Sequence, residues 1–491
     1  MASKAVLSLA VLYVLLLRSS TSDGGRILSL VYPGKSLLSL TVTVLTELKS
    51  RGHDVWAVYA DTFEISASML RESGINLLTF TSKEKMFLDD PEVQRDILMA
   101  AVENPELRTS LFHLTSTIQK FTSIFESYLE EMFVDKELDR KVRELKFDLM
   151  IVCGYWFFAK AYLFPHRYAV PYVSIVLDMQ QLAGVPMLPS FVPSLAITAK
   201  YSDKMSLPQR MLNIVPYVLL KHSIQPITPE LSQKHAPGRP YMSTPELMAE
   251  SELWIVDGGQ PAIDHVKPSL PNVKYLGGLV TRPAKPLPKD LETFLKKHDH
   301  GVVLVSFGSL VKYMPDRVVQ ELFEAFKNVP YGVIWKYNGQ PLKNVPDHVK
   351  IVSWMPQNDI LGHPNTKLFI THAGNNGQME ALYHGVPMIS IPLFGDQDYN
   401  AARAEQKGIA ITMDAAFLKS EDLISAINMM MENETYAKNM RRASAIFRDQ
   451  PGTPVELAGF WIDHVIKYGG SYMKSHARLL PWYQFYMLDV I

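Results

Sequence analysis

The stretch WMPQNDILGHPNTKLFITHAGNNGQMEALYHGVPMISIPLFGDQ, residues 354–397, limits the fold more than any other part of the chain. Lys367 to Thr371 is a short apolar run of the kind found in buried parallel strands. It runs into His372-Ala-Gly-Asn-Asn-Gly377, where small residues let the backbone turn sharply and approach a ligand. The helical pattern after it (Met379, Leu382, Tyr383) aims the free amides of its first turn outward, a ready anion site. His372 can donate to a phosphate oxygen, and Glu380, one turn after Asn376, can accept from ribose hydroxyls. Upstream, Trp354 offers a flat face for a base and Gln357 an amide for base or ribose. Downstream, Val386 to Pro392 reads as the next buried strand, delivering Gly395-Asp-Gln397 with groups suited to sugar hydroxyls. Together these groups imply a nucleotide-sugar site.

At this spacing Trp354, Gln357, His372-Ala-Gly, Glu380 and Asp396-Gln397 resemble the signature of the UDP-glycosyltransferases, in particular the animal UDP-glucuronosyltransferase-like branch. Val305-Ser-Phe-Gly-Ser309, Gly277-Gly-Leu279 and Lys285-Pro-Leu-Pro288 are similar to further stretches of that family. The resemblance implies uracil stacked on Trp354, with Gln357 on the base or ribose. It implies the diphosphate held by Ser309, His372, Asn376 and Gly377, the ribose by Glu380, and the donor sugar by Asp396 and Gln397. It also implies a GT-B type fold, two facing doubly wound Rossmann-like domains of α/β class with a cleft between them. The expected reaction is inverting transfer of a hexose or glucuronosyl unit from a UDP-sugar to a small lipophilic acceptor. UDP-glucose or UDP-glucuronate is then a co-substrate and no resident cofactor is expected. No metal is expected either.

A chain of 491 residues is too long for one ordinary core, and 47% hydrophobic content with a net charge of -1 gives no electrostatic case for a nucleic-acid partner. Residues 1–22 read as a secretory signal peptide, with Lys4, an apolar run from Ala5 to Leu17 and small residues at Ser19 to Ser22. The expected setting is the lumen of the endoplasmic reticulum or the secretory pathway. Cys153 is the single cysteine, which excludes an intrachain disulfide. Asn433-Glu-Thr435 is an acceptor sequon for N-glycans. The resemblance implies a C-terminal membrane span, and no apolar run of about 18 residues occurs there. The aromatic residues of 482–486 fit contact with a membrane interface, and assembly with copies or relatives fits the family.

The expected organisation is an acceptor-binding domain over 23–280, a proline-rich linker over 281–290, a UDP-sugar-binding domain over 291–470 and a tail over 471–491. Strands are expected at 26–32, 55–59, 148–152 and 172–177, then at 302–305, 332–336 and 350–353, with helices at 37–49, 157–164 and 315–327. Residues 79–143 read as largely helical and 185–248 as irregular, the segment expected to shape an acceptor pocket. Residues 455–468 are amphipathic and expected to return to the first domain.

The family's reaction uses a histidine that deprotonates the acceptor and an aspartate that orients it. Counting from Arg51-Gly-His53 and Phe147-Asp148, these positions fall on Leu37 and Cys153. No histidine lies between Asp23 and Arg51, so a shift of a few residues restores no base. His53 and His166 read as structural, and Asp148 as pointing away from the place of Cys153. Three expectations remain open. One is a transferase for amines or acidic acceptors that need no strong base; the second is a UDP-sugar binder without turnover; the third is a base supplied by Lys35 or a histidine of 185–248. An arginine that glucuronate-using relatives carry aligns with Asp257, which favours a neutral hexose such as glucose unless Asp257 faces solvent.

Overall fold

The computed structural model describes residues 24–490 apart from 33, 63, 84–101, 103–110, 155, 178–179, 195–200, 224–225, 310 and 312–313. The leader read at residues 1–22 lies outside the described residues. Two all-parallel sheets organise the rest. The first contains β1 (Arg26–Leu30), β2 (Asp54–Ala60), β3 (Asn76–Phe80), β4 (Leu149–Cys153), β5 (Tyr172–Val176), β6 (Leu253–Val256) and β7 (Val273–Tyr275), in the order β3-β2-β1-β4-β5-β6-β7. The second contains β8 (Val302–Ser306), β9 (Gly332–Lys336), β10 (Val349–Val352), β11 (Thr366–Thr371), β12 (Met388–Ser390) and β13 (Ala410–Thr412), in the order β10-β9-β8-β11-β12-β13.

Strands β4, β5 and β8 are buried at every residue, as apolar runs must be when helices cover both faces of a sheet. In β8 the two faces are explicit. Val303 and Val305 join one core, with Trp335 and Ile370, while Val302 and Leu304 join another, with Ile334 and Phe369. In each sheet the strand order reverses at one junction, β1/β4 and β8/β11, and loops at such junctions diverge to leave a crevice. The register keeps the second crevice level. Thr371 pairs with Ser306 and with Ser390, so the loops after β8, β11 and β12 leave the sheet side by side.

Five helices flank the cleft or tie the two halves together: α1 (Lys35–Ser50), α2 (Gln357–Leu361), α3 (Asn375–His384), α4 (Gln397–Gln406) and α5 (Pro454–Tyr468). Leu38, Val44, Leu45 and Leu48 bury one stripe of α1 against the first sheet. α5 starts with a capping box between Thr453 and Glu456 and returns to the first domain, as its amphipathic pattern implied. There Asp463 accepts from Arg51 at 3.0 Å and pairs with His53 Nε2 at 2.6 Å. His53 therefore fastens two distant segments, and His166 meets the Pro240 carbonyl at 3.0 Å, both outside the cleft.

One region differs from the sequence expectation. Residues 185–248 are not irregular, since they contain helices at Leu207–Ser223, Pro229–His235 and Thr244–Ala249. Proline was the misleading signal, because Pro208, Pro229 and Pro245 stand in first turns, where the missing amide costs nothing. The segment from 79 to 143 contains the end of β3 before its helices Leu111–Val134 and Lys136–Leu145. The segment 281–288 carries no helix or strand, and the helix Lys289–Lys297 starts directly after it. Arg282 forks onto Asp359 of α2 at 2.6 and 3.0 Å, so this segment is tied to the helix that carries Gln357. Among the described residues no helix is long and apolar enough to cross a membrane.

Candidate donor-binding site

The loop after β11 delivers His372 and then forces a sharp turn, with Ala373 at φ 63°, a left-handed conformation that costs a non-glycine residue about 1–2 kcal/mol. Glycine is required on both sides of the imidazole. A Cβ on Gly374 would stand 2.5 Å from His372 Nε2, and one on Gly308, itself at φ 81°, would stand 2.7 Å from the ring. Burial and the nearby Lys336 ammonium hold the imidazole down at about 4. It is therefore neutral at physiological pH and carries one N–H to donate. Ser309 follows Gly308, half-buried in the turn after β8.

α3 begins at Asn375 with no side-chain cap, which leaves its first-turn amides for a ligand. Gly377 is buried, and a Cβ there would press on Gln357 Nε2 at 3.3 Å. The Gln357 amide donates to Glu380 Oε2 at 2.6 Å, bringing the two ribose candidates into direct contact. Burial raises the Glu380 carboxyl to about 7, with the Gln357 bond opposing the shift. Trp354, three residues before Gln357, has 63% of its surface exposed, a flat apolar face open for stacking. Asn376 reaches the other half of the molecule, donating to Ser36 Oγ at 3.1 Å.

Asp396 precedes α4 and accepts from Asn400 at 2.7 Å; burial raises its carboxyl. Gln397 is only partly as expected. Its side-chain oxygen accepts from the Leu393 and Phe394 amides at 2.8 and 3.0 Å, so it shapes the loop after β12 and keeps only its N–H groups for a sugar. Asp257 does not face solvent. It is 1% exposed, accepts from the Gly278 and Leu279 amides at 2.8 and 3.2 Å, and meets Asn375 Nδ2 at 3.2 Å; burial raises it to about 6. Asp257, Asn375, Asp396, Asn400 and Arg403 line one small polar cavity between the two halves.

Into the wall of that cavity is built a network that sequence reasoning missed. Arg403 is 2% exposed and donates to Asp264 at 3.0 Å, to Asn375 Oδ1 at 2.9 Å and to Gln378 Oε1 at 3.1 Å. Asp264, in the segment after β6, also accepts from the Tyr399 hydroxyl at 2.6 Å and from the Gly259 and His265 amides at 3.0 and 2.8 Å. Despite burial, the charges of Lys267 and Arg403, helped by the Tyr399 hydroxyl and the His265 amide, hold its carboxyl well below the usual range. The available signal was Arg403 itself, a charge set among Ala401, Ala402 and Ala404.

The positions of the missing acid–base pair hold what the sequence says. Leu37 packs half-buried on the first core and Cys153 is buried at the end of β4. Asp148 lies at the opposite end of that strand, where it accepts from the Arg26 amide at 2.7 Å. Lys35 sets its ammonium over the Trp354 ring at 4.1 Å, and His235 pairs with Glu130 at 2.8 Å, stacked on Phe133. Among the described residues no three histidine, cysteine or carboxylate side chains gather as a metal site.

A family profile described as "UDP-glucoronosyl and UDP-glucosyl transferase" matches residues 25–491. The chain belongs to this family. As a member of the UDP-glycosyltransferases it is 30% identical over 490 residues to UDP-glucuronosyltransferase 2A1 of Mus musculus, an alignment spanning 96% of this chain and 90% of the relative. It is 31% identical over 467 residues to UDP-glucuronosyltransferase 2B1 of Rattus norvegicus, spanning 91% and 86%. Among solved structures, the spinosyn forosaminyltransferase SpnP superposes with a TM-score of 0.61 at 14% identity, over 90% of this chain and all (100%) of the other. The glycosyltransferase VinC, solved with dTDP, gives 0.59 at 15% identity, over 90% of this chain and 100% of the other. The two sheets are those of a GT-B glycosyltransferase.

Proposed function

We propose that this UDP-glycosyltransferase moves a neutral hexose from a UDP-sugar to a small lipophilic acceptor, with inversion, and without the family's histidine and aspartate. The observation that carries this reading is the contact of Gln357 with Glu380 at 2.6 Å beside an exposed Trp354, a ribose grip next to a surface for stacking a base. His372, neutral and wedged between glycines, is suited to a phosphate oxygen. Asp257, Asp264 and Asp396 line that cavity together with Lys267 and Arg403, three carboxylates against two cations, both of which pair with Asp264. A uronate would bring a further negative charge to that cavity, which supports a neutral sugar. The reading needs no resident cofactor or metal, and puts the protein in the lumen of the secretory pathway.

With Leu37 and Cys153 in place of the pair, the fitting acceptors are those that need no strong base. An amine attacks the anomeric carbon first and loses its proton afterwards; an acidic phenol or carboxylate arrives already deprotonated. The same two residues favour a second reading, a protein that binds UDP-sugar without turnover. Release of UDP from UDP-glucose and UDP-glucuronate, with amines, phenols and alcohols offered in turn, separates the two. Turnover confined to amines or acidic acceptors supports the transferase; tight donor binding with no turnover supports the binder, and tighter binding of UDP-glucuronate than of UDP-glucose refutes the neutral sugar.

A further inference from the structure

Lys35 opens α1 and so belongs to the first domain, yet its ammonium lies 4.1 Å from the centre of the Trp354 ring in the second. Lys336, the last residue of β9, comes within 5.2 Å of the same ring and donates to the Gly308 carbonyl at 2.7 Å. The face of an indole attracts each cation, but the two ammonium groups oppose one another. Burial and the charge of Lys35 hold Lys336 down at about 8. The neighbour of Lys35, Ser36, accepts from Asn376 through both its hydroxyl and its carbonyl, at 3.1 and 3.3 Å. Asn376 is in the first turn of α3, beside the amides and the imidazole that face an anion. A lysine rooted one residue from that contact can set its flexible stem toward the ring or toward the first turn of α3.

We propose that Lys35 is a donor-binding residue supplied by the first domain, which leaves the Trp354 face when a uracil stacks there and moves onto the diphosphate. The proposal rests on the cleft being a UDP-sugar site. With Lys35 on one side and Lys336 on the other, the diphosphate meets cations from both halves of the molecule, which draws the halves together around it. The chemistry gains as well. When an acceptor attacks the anomeric carbon, the bond from that carbon to the β-phosphate oxygen breaks and its electron pair stays on the phosphate. The acceptor's proton passes to water, and UDP departs with one more negative charge than it bore as the sugar ester. An ammonium at that place favours the departing form, an electrostatic contribution that assumes more weight where no side chain activates the acceptor.

Calorimetric titration of the full chain with uridine, UDP and UDP-glucose tests this, using the unsubstituted protein, Lys35→Ala and Lys35→Arg. Lys35→Ala should weaken UDP by about tenfold or more, the scale of one hydrogen bond to a charged group, and flatten the dependence of UDP affinity on ionic strength. Uridine, which has no phosphate, should bind as well or better, and Lys35→Arg should restore most of the UDP affinity. Equal losses for uridine and UDP, or UDP affinity unchanged in Lys35→Ala, would overturn the role of Lys35 while leaving the donor site standing. Failure of the unsubstituted protein to bind UDP would overturn the donor site itself. Lys35 is only half-buried, and matching thermal unfolding curves for the three proteins exclude a folding defect.

Discussion

Replacing Arg403 with methionine tests a buried ionic contact between the two domains. Methionine keeps much of the buried stem and removes the guanidinium, which donates to Asp264, Asn375 and Gln378. Breaking a buried ion pair by removing one partner costs about 3–5 kcal/mol. Asp264 would still have the Tyr399 hydroxyl, two backbone amides and Lys267 at 3.5 Å, so the carboxylate is not stranded and the cost falls near the lower end, about 3 kcal/mol. A chain of this size unfolding as one unit has an unfolding entropy of roughly 1 kcal/mol/K, which converts that cost to a drop of about 3 °C in Tm. Differential scanning calorimetry at neutral pH reads it directly. Asp264→Asn together with Arg403→Met should lose less than the two single changes summed, since they share one interaction. A Tm for Arg403→Met within about 1 °C of the parent, or strict additivity in the pair, would refute the reasoning.

Glu380 sets a pH dependence that uridine can report, because uridine carries no titrating phosphate. Its folded carboxyl titrates near 7, above its ordinary value, so the stability it lends is complete below that ordinary value and is lost as pH rises through about 7. Ribose hydroxyls donate best to the ionised form, so uridine affinity should rise between about pH 6 and 8 in the parent and stay flat in Glu380→Gln; a parallel rise in both proteins sinks the assignment. Asp396→Ala should weaken UDP-glucose and spare UDP, as measured by calorimetry, and equal losses would count against a sugar contact. Gly374→Ala puts a methyl 2.5 Å from His372 Nε2 and should abolish UDP binding with little change in Tm, whereas unaltered binding would mean that His372 does not need its place between the glycines.

The parallel strands were legible because β4, β5 and β8 are continuous apolar runs, and the turn at His372 to Gly377 because small residues interrupt such a run before a helix. Short strands at or near the sheet edges were not. β7 and β13 have three residues each, too few for a period, and become strands only through their neighbours. Gln357 and Glu380 were readable as types, and their contact comes from α2 and α3 packing together. Gln397 shows the reverse: its composition fits a sugar, but the loop it closes takes its oxygen. The Arg403 to Asp264 bond joins residues 139 apart, and Asn376 to Ser36 residues 340 apart. Such pairings belong to the meeting of two domains and leave no local pattern.

The return of α5 has a consequence for synthesis. His53 and Arg51 are joined to Asp463, so these two residues leave the ribosome some 410 residues before their clasp exists. At about 5–20 residues per second that interval is on the order of 20–80 s. In the later part of it, once β7 has been made, the first domain must persist with the face that α5 covers exposed to solvent, a window in which chaperones or neighbouring chains can compete for it. Completion of the amino-terminal half is thus timed by the carboxy-terminal half, and truncations ahead of residue 454 should release a first domain that collects in aggregates rather than in folded form.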